Sequence, residues 1–96
     1  MKTAKTISKR RLQKYIDELI AVAKNLTPEV ETVTQIPGDD GQHAWLEIYV
    51  PDELVDQVDD LISERVYDMF VTEGYDIGAI VYEKSQLQPM AVTADV

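Results

Sequence analysis

Two long stretches of the chain repeat apolar residues every three or four positions, the spacing of an amphipathic helix. The first covers residues 7–26, and its apolar stripe is Leu12, Tyr15, Ile16, Leu19, Ile20, Ala23 and Leu26. The second begins at Pro51 and extends to about Glu73, and its apolar residues are Leu54, Val55, Val58, Leu61, Ile62, Val66, Met69 and Phe70. Pro28 ends the first helix because proline disfavours helical geometry in the residue before it. Gly74 suits the left-handed position after the second.

Three shorter stretches have the composition or the alternation of β-strands. Residues 29–36 are rich in β-branched side chains. Residues 44–50 alternate strictly between a face with Ala44, Leu46, Ile48 and Val50 and a face with Trp45, Glu47 and Tyr49. Residues 76–84 place Ile77, Ala79 and Val81 on one face and Gly78, Ile80 and Tyr82 on the other. The turn formers at 37–41 join the first two strands, which predicts a hairpin.

The element order α-β-β-α-β predicts an α+β fold, a two-layer sandwich in which both helices cover one face of a three-stranded sheet. The covered face carries Leu46, Ile48, Ile77 and Val81. A helix between strands two and three indicates a β-α-β crossover, and a strand can be inserted between two parallel strands joined in this way. We therefore predict the strand order 2-1-3. We expect a single domain at 1–84, whose residues 1–6 form a flexible basic arm, and a loosely ordered tail at 85–96.

The second face of the predicted sheet is too apolar to be left bare. It carries Trp45, Tyr49, Ile80 and Tyr82, with His43 and Glu47 at its margin. Small monomers seldom expose a contiguous apolar patch of more than a few hundred Å². Three alternatives could cover this face: the C-terminal tail with Leu87, Met90 and Val92, a second copy of the sheet, or a foreign partner. Back-to-back sheets satisfy the patch symmetrically, so we predict a homodimer.

Charge is distributed unevenly along the chain. The net charge is −9, yet six of the nine basic residues precede the first acid, so residues from 15 onward hold 3 basic and 18 acidic residues, or −15. Two sets stand out: the basic start of helix one (Lys9, Arg10, Arg11, Lys14) and an acidic ridge on helix two (Glu53, Asp56, Asp60, Glu64). We predict an electrostatic contact between them, within one molecule or between copies. The acidic remainder repels phosphate, which disfavours nucleic acid and leaves a short RNA or anionic-membrane contact to the arm alone.

The inventory of reactive groups is short. The chain has no cysteine, which excludes disulfides and thiolate sites and agrees with a cytoplasmic location. It shows neither a signal peptide nor an apolar run long enough to cross a membrane. His43 is the one histidine, and the acidic loop at 38–41 lacks the spacing of a calcium loop, so we predict no metal site and no cofactor.

No catalytic motif is recognisable in the sequence. We therefore predict a small non-catalytic interaction or assembly module that self-associates through its aromatic sheet face. The alternative is a small-molecule-binding domain with a pocket lined by Trp45, Tyr49 and Tyr82. An enzyme ranks third.

Overall fold

The protein has two helices and a three-stranded mixed sheet, seen in a computed structural model that describes residues 8–38 and 41–87. The helices are α1 (Lys9–Leu26) and α2 (Val55–Asp68), and the strands are β1 (Glu31–Gln35), β2 (Ala44–Val50) and β3 (Ile77–Glu83). A 3₁₀ turn, Asp52–Leu54, leads into α2, a π-helical turn, Met69–Glu73, extends it, and a 3₁₀ turn, Lys84–Leu87, follows β3. The α+β class is confirmed. The predicted basic arm at 1–6 and most of the predicted tail lie outside the described residues.

Both ends of α1 follow from local chemistry. The Ser8 hydroxyl accepts a hydrogen bond from the Arg11 N–H at 3.2 Å and so caps an otherwise unpaired donor of the first turn. At the other end, Thr27 adopts an extended conformation before Pro28, as the sequence predicts. The helix begins at Lys9, two residues later than the predicted start at residue 7.

The π-helical turn after α2 ends at Gly74, which has φ of 79°. This left-handed conformation costs glycine little because it lacks a Cβ. The Gly74 N–H donates to the Phe70 carbonyl, and the Tyr75 N–H donates to the Met69 carbonyl. These two bonds satisfy carbonyls that the helix end would leave unpaired, and Tyr75 is then turned into the core.

The predicted strand order 2-1-3 is wrong, because the sheet has the order β1-β2-β3. The central strand, β2, pairs antiparallel with β1 and parallel with β3. Composition explains this arrangement. β1 has the sequence ETVTQ and is exposed at four of its five positions, which suits an edge strand, whereas β2 buries every second side chain completely. The β-α-β crossover therefore joins two neighbouring strands, with no strand inserted between them.

Both helices pack on one face of the sheet, as predicted. The buried core unites side chains from α1, β2, α2, the π-helical turn with the residues after it, and the start of β3: Leu12, Ile16, Leu19, Ala23, Ala44, Leu46, Ile48, Val50, Val58, Ile62, Met69, Tyr75 and Ile77. β2 alone supplies four of them, all fully buried. The opposite face of the sheet contributes none to this core.

Two isoleucines on opposite faces of the sheet test this assignment. Ile48 is fully buried beneath the helices, whereas Ile80 is 36% exposed on the other side. Replacing Ile48 by alanine should lower the free energy of unfolding by about 2–5 kcal/mol, because it leaves a cavity in a packed core. Ile80→Ala should cost about 1 kcal/mol. Urea unfolding at low protein concentration measures both, and equal losses would contradict the face assignment.

Candidate functional site

The face of the sheet opposite the helices, called here the open face, is a grid of nine positions. The strand register arranges them in three rows, each with one residue from β1, β2 and β3: Gln35, Trp45 and Gly78; Val33, Glu47 and Ile80; Glu31, Tyr49 and Tyr82. Val33 remains 49% exposed and Ile80 36% exposed. No described segment covers the centre of this face. The register thus brings together all four residues that the sequence predicts for it, namely Trp45, Tyr49, Ile80 and Tyr82.

Glu47 lies at the centre of the open face. Its predicted place at the margin of that face is wrong. Its carboxylate accepts one hydrogen bond from the Trp45 indole Nε1–H and one from the Tyr49 hydroxyl, each at 3.0 Å. Its cross-strand neighbours on either side are Val33 and Ile80. Among the described residues, no ion pair includes Glu47. The centre of the face is therefore a negative charge held by two neutral donors and flanked by apolar side chains.

The aromatic rings of the open face are held in place by packing. The rings of Tyr49 and Tyr82 stack with their centroids 5.1 Å apart and their planes 22° from parallel. At the other end of the face, Trp45 lies over Gly78, since a Cβ at that glycine would approach the indole Cε3 to 2.6 Å. The Gln42 amide would meet the same Cβ at 2.5 Å. Glycine at position 78 thus leaves the space that the indole ring occupies.

The phenol of Tyr49 is perturbed by this environment. Loss of solvent around the ring raises its pKa above the ordinary value of 10.0, and the hydrogen bond to Glu47 and the charge of that carboxylate raise the pKa further. The neighbouring Tyr82 adds to the same shift. All of these effects favour the neutral phenol, so Tyr49 remains a hydrogen-bond donor to Glu47 throughout the neutral pH range.

The two charged sets from the sequence are exposed on the helices. The basic residues Lys9, Arg10, Arg11 and Lys14 lie on the first turns of α1, and the acidic residues Glu53, Asp56, Asp60 and Glu64 lie on α2 and the turn before it. Within residues 8–38 and 41–87, no ion pair includes any of these eight. The salt bridge that does join the helices is between Arg65 and Glu18, and Arg65 also approaches Asp68 at 3.6 Å. This bridge is not among the contacts predicted from the sequence.

His43 connects the starts of β2 and β3. Its Nδ1 accepts a hydrogen bond from the backbone N–H of Asp76 at 2.9 Å, and the backbone N–H of His43 donates to the Asp76 carbonyl at 2.8 Å. The imidazole also meets the edge of Tyr75, whose hydroxyl accepts from the Ser8 N–H. The predicted place of His43 at the margin of the second face is therefore wrong: the residue lies at a strand end, on the helix side of the sheet, against the core residue Tyr75.

Metal-ligating clusters, membrane-spanning helices and surface clefts bear on other kinds of site in the described part of the chain. No group of three metal-ligating His, Asp or Glu side chains occurs there. No described helix combines the length and the hydropathy needed to cross a bilayer. Surface clefts lie between α2 and β3, beside the hairpin loop, and between the helices. None of these three is lined by Trp45, Tyr49 or Tyr82, the residues of the predicted small-molecule pocket.

Comparison of the chain with protein-family models, with curated proteins and with solved structures gives no significant match.

The raised pKa of Tyr49 predicts a loss of stability at high pH. Because the folded state holds this phenolic proton more tightly than the unfolded chain does, the stabilising contribution is complete below pH 10.0 and is lost as the pH rises through the folded-state pKa. A difference titration of tyrosinate absorbance between the wild type and Tyr49→Phe should show that Tyr49 titrates above pH 10.0. Glu47→Gln should move this pKa back toward 10.0, whereas Glu64→Gln, an equal charge change on exposed α2, should not. If Glu47→Gln leaves the pKa of Tyr49 unchanged, the result would contradict the hydrogen bond between Tyr49 and Glu47.

Proposed function

We propose that the protein is a non-catalytic interaction module that docks a protein partner through the open face. The observation that supports this proposal is the position of the aromatic and aliphatic side chains: they occupy the side of the sheet that the helices do not cover. Contiguous apolar surface rimmed by polar residues is typical of protein-binding sites. The cytoplasm is the proposed location, supported by the lack of cysteine in the sequence.

The chemistry of the face suits protein recognition. Tryptophan and tyrosine are enriched among the residues that dominate binding energy, since they offer a large area with few rotatable bonds. Here Tyr49 is already fixed by stacking on Tyr82 and by its bond to Glu47, and Trp45 is fixed over Gly78. Little side-chain entropy remains to be lost when a partner binds.

A second copy of the chain is the first partner to consider, and self-association is a form of the proposal that needs no unknown protein. Two open faces placed back to back would bury Val33, Ile80 and the tyrosine pair of each copy. The same arrangement brings one Glu47 carboxylate toward the other without a cation between them, which opposes tight binding. We therefore expect self-association that is weak and dependent on concentration.

Self-association is tested by adding a charge to the open face. Ile80→Glu should keep the protein monomeric at concentrations where the apparent mass of the wild type rises in sedimentation velocity, because a buried, unpaired carboxylate is costly. The control is Val71→Glu, which adds the same charge at a position that is 60% exposed on the π-helical turn, away from the face. Both variants should retain the wild-type circular dichroism spectrum. If the two variants associate equally well, the open face is not the contact.

The contact between the basic start of α1 and the acidic ridge of α2 stays a prediction, in its intermolecular form as well as its intramolecular one. An intermolecular contact of this kind weakens as salt screens it, whereas burial of apolar surface does not. We expect the apparent mass of the wild type to change little when salt is raised in the sedimentation experiment. A fall in mass at high salt that is absent from Arg10→Gln would assign the association to the charged sets instead of the open face.

A further inference from the structure

The open face contains one charge that the rest of the described structure does not balance. The Glu47 carboxylate has both oxygens hydrogen-bonded, yet both donors, the Trp45 indole and the Tyr49 phenol, are neutral. Lys84, at the end of the sheet, is engaged elsewhere: its ammonium donates to the Glu29 carbonyl at 3.5 Å and lies 4.0 Å from the Glu31 carboxylate. While the face is open to water, solvent stabilises the charge of Glu47.

Docking removes that solvent. A carboxylate enclosed by aromatic and aliphatic groups is strongly unfavourable unless a cation accompanies it. Neutral donors reduce this penalty without cancelling the charge. A partner that covers the centre of the face must therefore bring its own positive group to Glu47.

We infer that the segment that covers the open face presents an arginine side chain to the Glu47 carboxylate. This inference rests on the proposed function and names the chemistry of the partner. Each carboxylate oxygen of Glu47 accepts one hydrogen bond in the structure and retains acceptor capacity for a second. The fork of a guanidinium matches two such oxygens, and its flat faces stack on aromatic rings such as those beside Glu47.

Charge complementarity also favours an arginine-bearing partner over a second open face. The chain carries −9 overall, and the nine positions of the open face include two acidic residues, Glu31 and Glu47, and no basic one. A second open face thus adds another carboxylate where a cation is needed. Replacing Glu47 by glutamine should consequently have opposite effects on the two occupants: tighter binding of a second copy and weaker binding of an arginine.

The test uses the full chain and the Trp45 indole as reporter. Because this is the one tryptophan of the sequence and its Nε1–H donates to Glu47, the indole resonance in a ¹⁵N-correlated NMR spectrum senses a ligand at the carboxylate. The probe is N-acetyl-arginine amide, titrated at constant ionic strength. N-acetyl-citrulline amide has nearly the same shape without the charge and is the matched control.

We expect the arginine probe to shift the indole resonance saturably in the wild type and equally in Asp59→Asn, which removes one charge from exposed α2 outside the acidic ridge. Both the citrulline probe on the wild type and the arginine probe on Glu47→Gln should bind about tenfold or more weakly. The citrulline comparison needs no variant, so it stands whether or not Glu47→Gln folds. Equal binding of the two probes, equal binding to Glu47→Gln and the wild type, or shifts confined to α2 would each overturn the inference.

A dilution series of the same samples distinguishes failure of the arginine inference from failure of the proposed docking function. If Glu47→Gln self-associates more tightly than the wild type while the arginine probe leaves the indole resonance unchanged, a second copy occupies the face. The proposed docking function then holds, and the inference of an arginine partner is wrong. If neither dilution nor the probe perturbs Trp45, both proposals fail.

Discussion

The central position of β2 is the constraint on which the rest of the structure depends. Its two faces carry different chemistry: four fully buried aliphatic residues toward the helices, and Trp45, Glu47 and Tyr49 away from them. A strand flanked on both edges places its side chains in the middle of each face of the sheet. Consequently the same strand supplies the centre of the hydrophobic core and the centre of the open face.

Much of this arrangement is readable from the sequence, because it is encoded by local periodicity. The apolar stripes predict both helices to within a few residues, and the strict alternation from Ala44 to Val50 predicts which side chains share a face. Gly74 and Pro28 mark helix ends for steric reasons that act within a few residues. The four aromatic and aliphatic residues assigned to the second face do lie together there.

Strand order was the part that periodicity could not supply. Pairing of β2 with β3 joins segments separated by a whole helix, and the crossover alone allows either adjacent strands or an inserted one. The decisive signal was compositional: Thr32, Thr34 and Gln35 make β1 an edge strand. With β1 placed wrongly in the centre, β2 would be an edge strand, whereas the observed order puts Glu47 between Val33 and Ile80.

The glycine beneath Trp45 has a consequence for how the chain tolerates change. Any side chain at position 78 would occupy the volume of the Trp45 indole ring, whose Nε1–H donates a hydrogen bond to Glu47. A methyl group there would displace the ring and deprive the carboxylate of a donor, although nothing in the aliphatic core would be touched. Position 78 is therefore one where a substitution would rearrange the open face and leave the aliphatic core intact.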